Sequence, residues 1–144
     1  MNLSTAMRSM VVLAVLAFSA CSNPVGIYRG STTQTSSFGG TSSTRTITGD
    51  IYTIFASNDP NAIVVESGGL AFTATKNGDA LTFVGGQSQS VTETNGMSST
   101  TLTSGTGSLT TTSLTINLTL TQSQTASGQT ANGTVMVAFT GQKI

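Results

Sequence analysis

Charged side chains are scarce in this chain, and their scarcity excludes whole classes of function. Only five Lys or Arg and five Asp or Glu occur among 144 residues, and the formal net charge is zero. A protein that binds nucleic acid neutralises phosphates with a cluster of basic residues. The chain has no such cluster, so we expect no nucleic-acid partner. No strongly acidic or basic partner is indicated either.

Histidine is absent altogether. Its absence removes the usual general base, the commonest metal ligand and every His-dependent triad. A serine nucleophile would need Lys76 or Lys143 as its activating base, and no local spacing supports such a pair. The sequence therefore predicts a protein that is not an enzyme and has no catalytic residue, metal ligand or cofactor.

The five acidic residues leave two alternatives open. They are scattered along the chain, mostly in predicted turns where Asp is common: Asp50, Asp59, Glu66, Asp79 and Glu93. A glycosidase would need two of them to meet across neighbouring strands. Calcium binding by Asp59 with Asn58 and Asn61 is the other alternative, although this loop lacks the spaced acids of a calcium motif.

Proline and cysteine are also rare, with prolines only at positions 24 and 60 and a single cysteine, Cys21. One cysteine excludes a disulfide within the chain. Twenty serines and 28 threonines are compatible with a disordered stalk, but such stalks are usually rich in proline. Threonine is β-branched and favours strands, so the composition indicates a folded β domain.

Alternation of apolar and polar residues predicts eight or nine strands joined by turns. Leu70, Phe72 and Ala74 alternate with polar or small residues, and after Asn77-Gly78 the alternation resumes at Leu81. An Asn-Gly pair between two alternating runs is the strongest short-range hairpin signal. From Ser113 to Gln122 one side is wholly aliphatic, which is typical of a strand with one face on a core.

Such a series of hairpins predicts an all-β fold, a single small antiparallel up-and-down β-barrel, with a β-sandwich as the alternative. Barrel closure would remove exposed strand edges. The Ser/Thr/Gly-rich stretch from Ser31 to Thr44 is expected to be a long mobile hairpin loop or a frayed strand pair. Gly49-Asp50 is expected to form a bulge that switches the strand's faces.

The N-terminus carries the one long apolar run. Arg8 precedes an apolar stretch from Met10 to Phe18, and Ser19 and Ala20 lead into Cys21. The stretch is about half the roughly 20 residues that a membrane span needs, so it predicts a cleaved secretion signal, here an N-terminal signal helix. The alternative is an ordinary signal peptide cut near Ala20, with Cys21 left as a free thiol.

The residues that end at Cys21 resemble the lipobox of bacterial lipoproteins, with Phe18 in place of the usual Leu. This resemblance implies a signal peptide at residues 1–20 and a mature chain that begins at a lipidated Cys21. Residues 21–24 would then form a short tether and residues 25–144 the β domain. Ser22 stands where an Asp would retain the protein in the inner membrane, so the resemblance implies an outer-membrane location. The resemblance does not indicate which leaflet of the outer membrane would hold the protein.

A second resemblance involves the first strand. Gly26, Tyr28 and Gly30 with Ser31 are similar to the opening of lipocalins and avidin-like barrels, with Tyr in place of the usual Trp. The resemblance implies that Tyr28 closes one barrel end and that Lys143 stacks over its ring. The alternative is that Tyr28 is simply a core aromatic residue.

Together these patterns predict a lipid-anchored envelope protein of the outer membrane that acts as a non-catalytic binding or interaction module. Its expected partners are the membrane, through covalent lipid at Cys21, and a protein or small molecule that the sequence does not identify. A small lipocalin-like carrier of an apolar ligand is the alternative. A structural or adhesive surface coat differs from the first prediction only in its partner.

Overall fold

A computed structural model describes residues 24–144, which form nine β-strands and no helix. The strands are β1 (Pro24–Phe38), β2 (Thr41–Ala56), β3 (Ala62–Ser67), β4 (Leu70–Asn77), β5 (Ala80–Phe83), β6 (Ser88–Glu93), β7 (Gly96–Leu109), β8 (Ser113–Ala126) and β9 (Gln129–Lys143). The predicted signal helix and Cys21 lie outside the described residues. In residues 24–144 no helix is long and apolar enough to cross a membrane.

All strand pairs are antiparallel, and the pairing returns to its starting point. Following the hydrogen bonds leads from β1 through β2, β3, β4, β5, β7, β8 and β9 back to β1. The strands therefore form one sheet with a closed ring of hydrogen bonds, and β6 continues the pairing with β7 beyond the end of β5. The predicted all-β, antiparallel fold is confirmed.

The ring is closed over only part of the strand length because the strands differ in length. β1, β2, β7, β8 and β9 have 14 to 16 residues, whereas β3 to β6 have 4 to 8. β2 pairs with β3 only through Thr53 to Ala56. On the side of Thr53 that is farther from Pro24, β3, β4 and β5 no longer take part. There the five long strands and β6 form a six-stranded extension of the sheet.

Of the two alternatives for Ser31 to Thr44, the mobile loop is wrong and the strand pair is correct, although the pair is not frayed. β1 and β2 pair residue by residue from Ser31 opposite Thr48 to Phe38 opposite Thr41. The connection is only Gly39-Gly40, both with positive φ, the geometry that a two-residue hairpin turn requires. Ser and Thr lie on both faces of these strands and hide the apolar–polar alternation, but Thr favours strands whether its side chain is buried or exposed.

The predicted bulge at Gly49-Asp50 is confirmed. Gly30 lies opposite Asp50 and Ser31 lies opposite Thr48, so Gly49 is the extra residue. Its φ of 72° is readily adopted by glycine alone. The insertion lets apolar side chains face inward on both sides of the bulge, which explains why the apolar pattern of β2 changes phase there.

The inward positions form one apolar core. The predicted one-sided strand is confirmed, since its four aliphatic residues are all buried: Leu114, Ile116, Leu118 and Leu120. The aromatic rings of Tyr52 on β2 and Phe139 on β9, the two strands that flank β1, stack with centroids 4.0 Å apart and planes inclined by 23°. The other buried members of this cluster are Tyr28, Ile54, Ile63, Val65, Phe72, Ala74, Leu81, Phe83, Leu102, Leu109 and Val135.

Two glutamine side chains continue the ring where β5 ends. The Gln87 amide accepts a hydrogen bond from the Thr73 N–H (2.7 Å) and donates to the Thr73 carbonyl (2.9 Å) and the Val84 carbonyl (2.7 Å). Gln89 makes the same pair of bonds to the backbone of Ala71. A primary amide has a donor and an acceptor spaced like those of a peptide group, so both side chains act in place of a missing strand.

We expect Gln87→Ala to lower the free energy of unfolding by about 1–2 kcal/mol, because the Thr73 N–H and the Val84 carbonyl lose their partner and the Thr73 carbonyl keeps only its 3.4 Å bond from the Val84 N–H. Gln129→Ala, at an exposed position of β9, is the matched control and is expected to change stability by less than about 0.5 kcal/mol. Urea unfolding measures both. Equal stability of the two variants would show that the glutamine bonds do not stabilise the ring.

Candidate interaction surface

The predicted lipidation site lies just before the described residues. β1 begins at Pro24, three residues after Cys21 and within the tether expected at residues 21–24. The β domain therefore starts almost immediately after the cysteine. Lipidation of Cys21 itself stays a prediction.

The acidic residues occupy separate places, and Asp50 and Asp59 accept structural hydrogen bonds. The Asp50 carboxylate accepts hydrogen bonds from the Thr32 hydroxyl and from the Ile51 N–H at the bulge. Asp59 accepts a bond from the Asn61 N–H (2.8 Å) within the turn that joins β2 and β3. Glu66 lies on β3, Asp79 in the β4–β5 turn and Glu93 on β6. Within residues 24–144 no three acidic, His or Cys residues come together as a metal site.

Tyr28 is buried in the core, and the last strand places Lys143 directly opposite it. The Tyr28 hydroxyl donates to the Thr110 carbonyl at 3.4 Å. Burial raises the pKa of Tyr28. Burial, reinforced by the Asp50 charge, also raises the pKa of Tyr52, although hydrogen bonds to Thr32 and Ser67 act in the opposite direction. Neither phenol is therefore available as a base near neutral pH.

The outward side of the long strands is covered with hydroxyl groups aligned from strand to strand. One row crosses six strands and consists only of Ser and Thr: Ser88, Thr101, Thr121, Thr134, Ser37 and Ser42. Neighbouring strands lie about 4.8 Å apart and successive outward residues about 7 Å apart. The hydroxyl groups therefore form a two-dimensional array.

Three further rows repeat the pattern across β7, β8, β9, β1 and β2. They are Ser104, Thr119, Met136, Thr35 and Thr44; Thr106, Asn117, Ala138, Thr33 and Thr46; and Ser108, Thr115, Thr140, Ser31 and Thr48. We call the four rows together the hydroxyl face. It contains no charged residue, and each of its side chains is exposed or half-buried.

Cross-strand hydrogen bonds order part of this face. The hydroxyls of Thr35 and Thr44 are 3.0 Å apart, and those of Ser88 and Thr101 are 2.6 Å apart. Such pairs stabilise neighbouring strands and hold the side chains in one orientation. The face is therefore partly preorganised as a set of hydrogen-bond donors and acceptors.

A shallow groove of about 370 Å³ lies over β7, β8 and β9. It includes Thr101, Thr121 and Thr134 of the first row of the hydroxyl face and extends beyond that row, away from Pro24. It is lined by Ser99, Thr101, Thr121, Gln122, Ser123, Asn132, Gly133 and Thr134. These groups can bind a neutral polar molecule by hydrogen bonding, and none is a charged or readily titrated group. The groove can therefore support recognition but offers no base or nucleophile-activating group.

Sequence reasoning missed this surface because it depends on the pairing of distant strands. The Thr-rich composition was evident, but alignment of Thr121 with Thr101 and Thr134 requires the exact register of three strands. A one-residue slip would turn each of these side chains to the core. The alternation of β8 was the one local signal that its Thr residues face outward.

Comparison of the chain with models of protein families, with curated proteins and with solved structures gave no match. Function therefore has to be argued from the chemistry of the surface itself.

Proposed function

We propose that this chain is a bacterial envelope lipoprotein of the outer membrane, held by acyl chains on Cys21, whose β domain is a non-catalytic interaction module. The observation that carries the proposal is the uncharged hydroxyl face on a domain that begins three residues after the lipobox-like cysteine. Several acyl chains give stable anchoring, whereas one holds only marginally.

We further infer that the ring of strands is a small up-and-down barrel and not a sandwich. Support comes from the β1–β9 pairing, which is unbroken from Tyr28 opposite Lys143 to Phe38 opposite Gly133. The β5–β7 pairing closes the opposite side. A barrel gives the domain a rigid body, on which an array of side chains keeps its spacing.

In this proposal the interaction surface lies far from the anchor, and the strand directions support this arrangement. From Cys21 to Pro24 the chain spans at most about 10 Å, so the Pro24 end of the domain stays close to the acyl chains. Ser37 is 13 residues farther along β1, a distance of about 40 Å in an extended strand. The first row of the hydroxyl face and its groove would thus project from the membrane.

The chemistry of this face favours a neutral, hydrogen-bonding partner. With no charge in its four rows, the face offers no electrostatic attraction to nucleic acid or to a highly charged protein. The hydroxyls and the Asn132 amide suit the hydroxyl or amide groups of an uncharged polymer or of another protein surface. An envelope structural role is consistent with the same face.

The carrier alternative has weaker support. An apolar ligand inside the ring would need space among Phe72, Phe83, Ile116 and Leu118, yet all four are buried members of the single core cluster. The side chains of Phe83 and Leu118 both meet the site where a Cβ on Gly105 would lie. Phe83 and Leu118 therefore occupy interior space that a lipocalin-like ligand would need.

The anchor is tested by expressing the full chain in bacteria and partitioning the envelope fraction between detergent and aqueous phases. We expect wild type to enter the detergent phase and Cys21→Ser to lose most of that partitioning. Ser22→Ala is the matched control, because it changes the adjacent residue but keeps the cysteine, and it should behave as wild type. Aqueous partitioning of wild type and Ser22→Ala, equal to that of Cys21→Ser, would contradict the proposal.

A further inference from the structure

The outward side of the sheet changes character at the end where Pro24 lies. Beyond the hydroxyl face, most outward residues of β1, β2 and β3 are apolar, and the exceptions are Arg29, Thr53 and Glu66. We call the apolar group the anchor-end patch; it consists of Pro24, Val25, Ile27, Phe55, Val64 and Ile144. An apolar group on an otherwise hydroxyl-rich surface needs an explanation.

Strand pairing brings these residues together. Pro24 lies opposite Phe55, which in turn lies opposite Val64 on the next strand. On the other side, the Ile144 N–H donates to the Ile27 carbonyl at 3.0 Å and so continues the β9–β1 pairing. The patch therefore extends across four neighbouring segments of chain at one end of the sheet.

Two side chains of the patch extend into solvent. Val25 is 56% exposed and Ile144 is 66% exposed, while Ile27, Phe55 and Val64 are half-buried. The register shift at Val25 makes this residue a bulge, which turns the strand locally at its first residues. The most exposed apolar groups thus lie at the point where the chain enters the domain.

The charges near the patch balance one another. Arg29, Lys76 and Lys143 are exposed at this end, and Asp59, Glu66 and Asp79 lie on β3 and in the β2–β3 and β4–β5 turns. Three positive and three negative groups give no net attraction to anionic headgroups. Binding to a surface at this end has to come from the apolar area.

We propose that the anchor-end patch rests on the lipid surface, with Val25 and Ile144 in the headgroup region. This inference rests on the proposed lipid anchor at Cys21, which would hold Val25 within about 14 Å of the acylated residue. Apolar side chains of interfacial proteins enter the headgroup and acyl boundary to a depth of about 5–10 Å. The patch and the acyl chains together would give the domain a fixed orientation on the membrane.

The chain contains no tryptophan, so a single introduced tryptophan reports its surroundings without background. Ile144→Trp places the probe in the patch. Met136→Trp is the matched control, since Met136 is 54% exposed on the same strand but lies in the hydroxyl face. Both full-length proteins, purified from envelopes, are reconstituted into phosphatidylethanolamine and phosphatidylglycerol vesicles, with or without brominated acyl chains, and floated on a density gradient.

We expect both proteins to float with the vesicles. The Ile144→Trp emission should lie at a shorter wavelength than the Met136→Trp emission and should be quenched by the brominated chains. The brominated chains should leave the Met136→Trp emission unchanged. Flotation with equal, weak quenching of both probes would overturn the patch proposal and leave the anchor standing. A blue shift without quenching would also overturn it, because the chain itself would then cover the patch. Failure of both proteins to float would overturn the anchor and the patch together.

Discussion

Phe139→Ala is expected to lower the free energy of unfolding by about 3–5 kcal/mol. Phe139 is 2% exposed, and its ring stacks on that of Tyr52, which lies on the other strand that flanks β1. Truncation removes the stacking contact and leaves a cavity, and a single well-packed core relaxes only partially around it. Domains of this size have total stabilities of about 5–15 kcal/mol, so the loss is a large share.

Urea unfolding measures this change, with Met136→Ala as the matched control on the same strand. Met136 faces outward and is 54% exposed, so its truncation should cost less than about 0.5 kcal/mol. If Phe139→Ala and Met136→Ala unfolded at the same urea concentration, the assignment of inward and outward faces on β9 would be wrong.

Gly30→Ala is expected to destabilise the domain by at least about 3 kcal/mol, or to prevent folding. A Cβ on Gly30 would overlap the Thr140 carbonyl and the Cα of Gly141, both of which belong to the backbone of β9. Backbone atoms of a paired strand cannot move aside as a flexible side chain can. The substitution therefore acts on the β1–β9 pairing, which returns the sheet to its first strand.

Ser31→Ala tests the same strand one residue later, where the side chain points outward and is exposed. It should leave stability within about 0.5 kcal/mol of wild type. Native-state hydrogen exchange of β1 and β9 amides extends the test, because a local loss of pairing would raise their exchange first. Gly30→Ala with wild-type stability and exchange would mean that the two strands are farther apart than described.

Local patterns in the sequence predicted the parts of the fold that depend on neighbouring residues. The hairpin of β4 and β5 carried both an alternating pattern and an Asn-Gly turn, and it forms as predicted. The sequence left Ser31 to Thr44 open between a mobile loop and a frayed strand pair, because the side chains of its paired strands are polar on both faces. Their inward positions include the polar residues Gln34 and Ser36, although these lie opposite Val137 and Val135 of the apolar core.

Contacts between distant residues could not be predicted from local patterns. The bonds from Gln87 to Thr73 and Val84 depend on where β5 ends, and the hydroxyl rows depend on the register of up to six strands. The anchor-end patch likewise combines Val25 with Ile144 from opposite ends of the described chain. In contrast, Cys21 was singled out by its preceding residues alone, and its lipidation stays a prediction.

β2 leaves a long edge of the sheet unpaired. Among the described residues, β2 from Thr41 to Tyr52 pairs on one side only, and such edges favour pairing with other chains. Two features reduce that tendency here. The bulge at Gly49 interrupts the edge, and Arg45 points inward, where its Nε donates to the Gln34 side-chain oxygen at 2.8 Å. Inward charges and bulges are common protections of edge strands.

The most direct test of the account is the intact mass of the wild-type protein isolated from a bacterial envelope fraction. The account predicts a chain that begins at Cys21 and carries the added mass of a diacylglyceryl group and an N-acyl chain, with the unmodified chain in Cys21→Ser. A wild-type chain that lacks acyl mass, whether cut near Ala20 or uncut, would contradict the lipid anchor and the orientation of the domain derived from it.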